Sequence, residues 1–147
     1  MESQERWRRW FLWTVLVVVG ANYLAQIPYY LRVYYFPHHV GPSISGTLLL
    51  GCTLVWFLVG YGRLLTGSAK GYWLLVSFLA TEVFFYTYNM VNQVAHGLPP
   101  FLHLSVRDPV LFAVFGIGYL NMLAGVYFLF VLLQRHADFT VTRAEPL

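Results

Sequence analysis

One polar stripe runs down the third hydrophobic segment of this chain. It consists of Glu82, Tyr86, Asn89, Gln93 and His96, whose spacings alternate between four and three residues. At ~100° per helical residue these positions fall within an arc of about 80°, so they share one face of an otherwise apolar helix. A carboxylate near the middle of a membrane span is costly and marks a functional site by default, so the stripe predicts a polar site centred on Glu82.

Two forms of Glu82 would do different chemistry. A low-dielectric environment favours the neutral carboxylic acid, which donates a hydrogen bond, whereas the ionised form would hold a cation or accept a proton. The alternative is a purely structural role, which we call structural glue: Asn, Gln, Tyr and a protonated Glu can form hydrogen bonds between helices, and each bond stabilises the bundle by about 0.6 to 2 kcal/mol. The length of the stripe favours a pocket, since glue needs only one or two such residues.

Polar residues on two other segments match the depth of Glu82. Asn22 lies at the midpoint of the first hydrophobic segment and Asn121 at the midpoint of the fourth, while Gln26 and Tyr29 extend the first of these faces outward. We therefore expect a polar cavity inside a helical bundle, lined by all these residues. It would open outward, be closed at the cytoplasmic end by Trp, Leu and Val, and bind or help move a small, lipophilic or cationic ligand.

The composition places these residues in a membrane protein. Of the 147 residues, 59% are hydrophobic and only 10% are charged, and the mean hydropathy is +0.60. A soluble domain carries about 25% charged residues. The net charge of +3 comes from basic residues at segment ends, which indicates topology rather than nucleic-acid binding. The lone Cys52 excludes a disulfide within the chain and a Cys-rich zinc site.

The hydrophobic segments predict a single all-α domain, an integral membrane bundle of four transmembrane helices. The spans cover about residues 10–34, 44–62, 71–96 and 109–133. Seven basic residues fall on one side of the bilayer and two on the other, so both termini are predicted to be cytoplasmic. The first group is Arg6, Arg8, Arg9, Arg63, Lys70, Arg135 and Arg143, and the second is Arg32 and Arg107.

The start of the chain allows one alternative. Its basic residues and apolar run could form a signal peptide, with a cleavage site at residues 19–21. The apolar character continues well past that point, which favours an uncleaved first span. The short loops and the cytoplasmic termini favour the inner membrane of a bacterium.

No cofactor or metal is predicted. His38, His39, His96 and His103 would lie on or near the outer face, and only His96 approaches membrane depth. Zinc at the outer surface and haem between two histidines are therefore less favoured than plain interfacial histidines. No phosphate-binding loop, HExxH motif or Ser-His-Asp pattern is evident in the sequence.

Three functions are compatible with these patterns. The first is a membrane protein that binds or helps move a ligand through the Glu82 cavity, and a transporter of this kind would need a homodimer because four helices enclose little volume. The second is an accessory subunit that packs against a larger membrane complex. The third is an enzyme that modifies lipids, which the sequence favours least because one carboxylate without a partner base is weak support for catalysis.

Overall fold

The computed structural model describes residues 2–29, 44–95 and 109–140. Within these ranges the regular structure is helical throughout and contains no strand, so the predicted all-α class is confirmed there. The helices are α1 (Glu2–Tyr29), α2 (Ile44–Leu65), α3 (Ala69–Ala95), α4 (Pro109–Gln134) and the short α5 (His136–Thr140).

The helices and the predicted spans differ most at the N-terminus. α1 begins at Glu2 rather than near residue 10, because Glu2 and Glu5 lie in its first turn, where carboxylates stabilise the positive end of the helix dipole. α2 continues to Leu65 rather than 62, and α3 begins at Ala69 rather than 71. Residues 30–34 of the first predicted span and residue 96 of the third lie outside the described residues.

A tight turn joins α2 to α3. Gly67 has a φ of 80°, a left-handed conformation that glycine adopts without a steric penalty. Its N–H donates to the carbonyl of Leu64 at 3.0 Å, and the N–H of Ser68 donates to the carbonyl of Arg63 at 3.1 Å. This paired arrangement ends the helix and satisfies its last carbonyls, so the chain reverses within three residues.

Glycines let α2 and α3 approach each other closely. A Cβ atom added at Gly71 would lie 2.5 Å from the carbonyl carbon of Arg63, and one added at Gly60 would lie 3.0 Å from the backbone nitrogen of Leu75. Gly60 and Gly71 therefore lie where the two backbones are closest. Gly51 of α2, by contrast, meets nothing within 4 Å.

The closest backbone contacts run from α2 to α3, from α3 to α4 and from α4 to α1. Gly118 and Gly125 line the α4 face that meets α3. A Cβ atom at Gly118 would lie 3.0 Å from the ring of Tyr86, and one at Gly125 would lie 2.9 Å from Val83. These two glycines therefore mark a contact face, which brings α4 against the helix that carries Glu82.

A core of aromatic rings fills one end of the bundle, which we call the aromatic end. The start of α1, the α2–α3 turn and α5 meet there, because Arg8 donates to the carbonyl of Leu64 at 3.1 Å and Gln4 donates to Asp138 at 2.6 Å. The buried aromatic residues of this core are Phe11, Phe57, Tyr61, Tyr72, Phe78, Phe128 and Phe139, and Tyr23 is buried above them.

The closure of this end differs from the prediction in one residue type. Leu and Val contribute, as do Trp7 and Trp56, which are half-buried against the core, whereas Trp10, Trp13 and Trp73 are 70%, 61% and 56% exposed. Phenylalanine fills a dry interior without a polar atom, whereas an indole N–H needs a hydrogen-bond acceptor when it is buried. The half-buried Trp56 meets this need by donating to the carbonyl of Leu74 at 3.1 Å.

Two described helical segments, Ala69–Asn92 and Gly116–Gln134, are long and apolar enough to cross a membrane, and Leu50–Leu65 is a shorter apolar stretch. Large apolar side chains are exposed along them, among them Phe84, Leu120 and Phe130. Length and composition thus support membrane association.

Candidate functional site

Polar side chains of α1 and α3 converge directly above the aromatic core. The Gln26 side-chain amide donates to the Tyr86 hydroxyl at 3.0 Å, and that hydroxyl donates to Asn22 Oδ1 at 3.0 Å. The inward face of α1 carries these residues because Asn22 and Gln26 are four positions apart, just over one helical turn. Asn22, Gln26 and Tyr86, all predicted site residues, therefore form one hydrogen-bonded set.

Glu82 joins this set through a residue that the sequence interpretation missed. The Tyr23 hydroxyl lies 3.5 Å from Glu82 Oε1, at the long limit for a hydrogen bond between oxygens. Thr53 of α2 also interacts with the side chain of Tyr23. Tyr23 is adjacent to Asn22 and three residues before Gln26, so its place on the polar face of α1 was visible in the sequence.

Two atoms of this site have unmet hydrogen-bonding capacity. In the described part of the chain, Asn22 Nδ2 and Glu82 Oε2 are the buried side-chain polar atoms that have no hydrogen-bond partner. A buried polar group left unsatisfied costs about 1–3 kcal/mol, so such atoms are uncommon without a reason. Asn22 is only 1% exposed, so bulk solvent does not satisfy its amide. Both atoms therefore retain free hydrogen-bonding capacity inside the bundle.

Burial changes at the level of Glu82. On α3, Leu75, Phe78 and Leu79 are almost completely buried, whereas Glu82 and Tyr86 are only half-buried. The same change occurs on α2, where Phe57 is buried and Thr53, one turn further from the aromatic end, is half-buried. On α2 and α3 the fully buried positions thus end at the level of the polar set, whereas Asn22 and Tyr23 of α1 remain buried there.

Asn121 reaches the same level from α4. It lies between Gly118, which meets Tyr86, and Gly125, which meets Val83, and it is 5% exposed. Among the described residues no hydrogen bond joins Asn121 to the polar set. Its place between these two glycines puts it on the α4 face that meets α3, at the level of the site.

The remaining predicted site residues extend beyond the described side chains. Asn89 and Gln93 lie in α3 and Tyr29 ends α1, but their side chains are outside the described part of the structure. His96 lies outside the described residues altogether. The outward continuation of the stripe therefore stays a prediction.

The donor set consists of one carboxyl group, two phenols and three carboxamides. Such a set binds polar uncharged groups and cations. Among the described residues, no group of three or more His, Cys, Asp or Glu side chains is placed to hold a metal ion. Comparisons with protein-family models, with curated proteins and with solved structures give no match.

Proposed function

We propose that this chain is an integral membrane protein with four spans, which correspond to α1–α4, and with both termini in the cytoplasm. The two span-length helices support this proposal, as do the exposed apolar side chains Val17 on α1 and Val55 on α2. The basic residues concentrated at the aromatic end support the orientation. They are Arg6, Arg8, Arg9, Arg63, Lys70 and Arg135.

The proposed function is the binding of a small or lipophilic molecule at the polar site between α1 and α3. The observation that carries it is the pair of buried, unpartnered atoms, Asn22 Nδ2 and Glu82 Oε2. A ligand that hydrogen-bonds to both would remove their desolvation cost, and this gain would appear as binding free energy.

Structural glue accounts for only part of the site. The bonds from Gln26 to Tyr86 and from Tyr86 to Asn22 do link α1 to α3. Glue would also be expected to satisfy Glu82, yet its nearest described partner lies 3.5 Å away and its second oxygen has none. A site that only held helices together would gain stability by replacing such a carboxyl with an apolar residue.

The test is the thermal stability of purified protein in detergent, alone and with a panel of lipophilic amines, cations, alcohols, amides and quinone-like compounds. Wild type is compared with Glu82→Gln, which keeps the size of the side chain and removes the carboxyl group. Ser77→Ala is the control on the same helix, because the exposed Ser77 hydroxyl bonds only to Leu74 of its own helix at 3.0 Å.

Binding predicts that a compound raises the melting temperature of wild type and Ser77→Ala and does so much less for Glu82→Gln. If every compound leaves all three proteins unchanged, the binding proposal is wrong. An accessory subunit would then be the better interpretation, and the partner would be sought by co-purification.

A further inference from the structure

The two unmet atoms of the polar site differ in hydrogen-bonding character. In the chain of bonds from Gln26 to Tyr86 to Asn22, the acceptor oxygen of Asn22 is occupied. Its Nδ2 is therefore a pure donor with no acceptor. Glu82 Oε2 is a carboxyl oxygen, which accepts when ionised and can donate or accept when neutral. A complete partner must accept from Asn22 and also hydrogen-bond to Glu82.

One ligand group can reach both atoms. Glu82 and Tyr86 are one turn apart on α3, about 6 Å along the axis, and their α1 partners Tyr23 and Asn22 are sequence neighbours. Helical side chains lean toward the helix N-terminus, so the Tyr86 ring leans toward the level of Glu82. The unmet donor and the unmet oxygen therefore lie at similar levels on two helices whose side chains meet, which allows one small polar group to be the partner of both.

We infer that the site binds an uncharged group that both donates and accepts hydrogen bonds, a hydroxyl or a primary carboxamide, carried on an apolar body. This inference rests on the proposed binding function and specifies its ligand class. An ammonium group donates to Glu82 but has no lone pair for Asn22, and its charge repels the amide hydrogens. An ether accepts from Asn22 but donates nothing to an ionised Glu82, whereas a hydroxyl or a primary carboxamide pairs with either form of the carboxyl.

The apolar body extends away from the aromatic core. Leu79 and Phe78 are packed on that side, whereas Glu82 and Tyr86 are half-buried. The polar head thus enters first and lies at the floor of the site, and the aromatic core blocks deeper entry.

The experiment uses four probes with one apolar body: 1-adamantanol, 1-adamantanecarboxamide, 1-adamantanamine and 1-methoxyadamantane. Dissociation constants for the full-length protein in detergent come from the concentration dependence of the melting temperature. At a pH where Glu82 is ionised, we expect the alcohol and the amide to bind wild type roughly tenfold or more tightly than the amine, which leaves Asn22 unpaired, and than the ether, which leaves the carboxylate unpaired.

Asn22→Asp gives a matched reversal. It replaces the unmet donor by a carboxylate oxygen of the same size, so the preference should shift toward the amine. Asn22→Leu removes the donor and should reduce the difference between the alcohol and the amine, because only the alcohol accepts from Asn22. The result for a variant is used only if that variant unfolds cooperatively. If neither does, the order in which the four probes bind to wild type tests the inference.

The outcomes separate the two proposals. If the amine binds wild type as tightly as the alcohol or more tightly, and Glu82→Gln abolishes binding, the donor-and-acceptor inference is wrong while the binding function stands. If neither these probes nor any panel compound binds wild type, both proposals fail. Tighter binding of the alcohol and the amide supports both.

Discussion

The hydroxyl of Tyr86 accepts one hydrogen bond from Gln26 and donates another to Asn22, so a single oxygen atom links α3 to two turns of α1. By contrast, the neighbouring contact between Tyr23 and Glu82 is long, at 3.5 Å. The site thus combines a well-satisfied part, which holds the helices, with a poorly satisfied part, which is available to a ligand. This division separates the residues that stabilise the bundle from those expected to change binding.

Tyr86→Phe should therefore lower stability rather than only affinity. It removes both hydrogen bonds and leaves the amide of Gln26 and the oxygen of Asn22 without this partner, which should cost about 1–3 kcal/mol. Tyr88→Phe is the control, because Tyr88 is on the same helix and 59% exposed. Equal free energies of unfolding for the two variants in denaturant titrations would contradict the role given to Tyr86.

The close packing of α2 against α3 depends on the positions of two glycines. α2 and α3 meet so closely at Gly71 that an added Cβ atom would lie 2.5 Å from the backbone of Arg63. Further from the turn, Gly60 permits the same approach, at 3.0 Å from the backbone of Leu75. Backbone atoms cannot move aside as a side-chain tip can, so these positions determine the spacing of the two helices.

Gly71→Ala should consequently be more damaging than its single carbon suggests. We expect a loss of about 1–3 kcal/mol, the range for overpacking a well-packed interior. Gly20→Ala is the control, since a Cβ atom there meets nothing within 4 Å. It should be neutral or stabilising by up to about 1 kcal/mol, because alanine is the better helix former. Both are measured by thermal unfolding, and a stable Gly71→Ala protein would refute the close approach.

The short helix α5 is held in place by one buried ring. Phe139 is 0% exposed and packs 5.6 Å from the ring of Phe11, measured between centroids. Phe139→Ala should cost about 3–5 kcal/mol, as for other large-to-small changes in a core. Phe130→Ala, at a position that is 57% exposed on α4, should cost far less. Proteolysis that releases the C-terminus only from Phe139→Ala would confirm the expectation.

The whole molecule has two unlike ends. The aromatic end contains the buried core and most of the basic residues. One of these, Arg135, places its guanidinium 4.1 Å from the centroid of the Trp7 ring. The interior becomes polar at Asn22 and Glu82 and more accessible beyond them. In a bilayer this polarity would produce a site that is sealed from the cytoplasm and approached from the other side.

Thiol labelling tests this orientation. In a Cys52→Ser background, Ser68→Cys in the α2–α3 turn should react with a membrane-impermeant maleimide only after the cells are lysed. Ser105→Cys, in the connection between the third and fourth spans, should react in intact cells. The reverse pattern would overturn the orientation, and labelling of both positions in intact cells would contradict a four-span arrangement.

Local information in the sequence was sufficient for the helical class and for the polar positions of the site. Hydropathy and the 3.6-residue period depend on neighbouring residues alone, so the helices and the shared face of Asn22 and Gln26 could be predicted. Tertiary structure alone decided which polar groups bond to each other, since helices that are apolar on most sides carry little information about their rotation. For that reason the packing role of Gly71 and the unmet atoms of Asn22 and Glu82 emerged only from the assembled bundle, as did the contact of Tyr23 with Glu82, although the place of Tyr23 on the polar face of α1 was visible in the sequence.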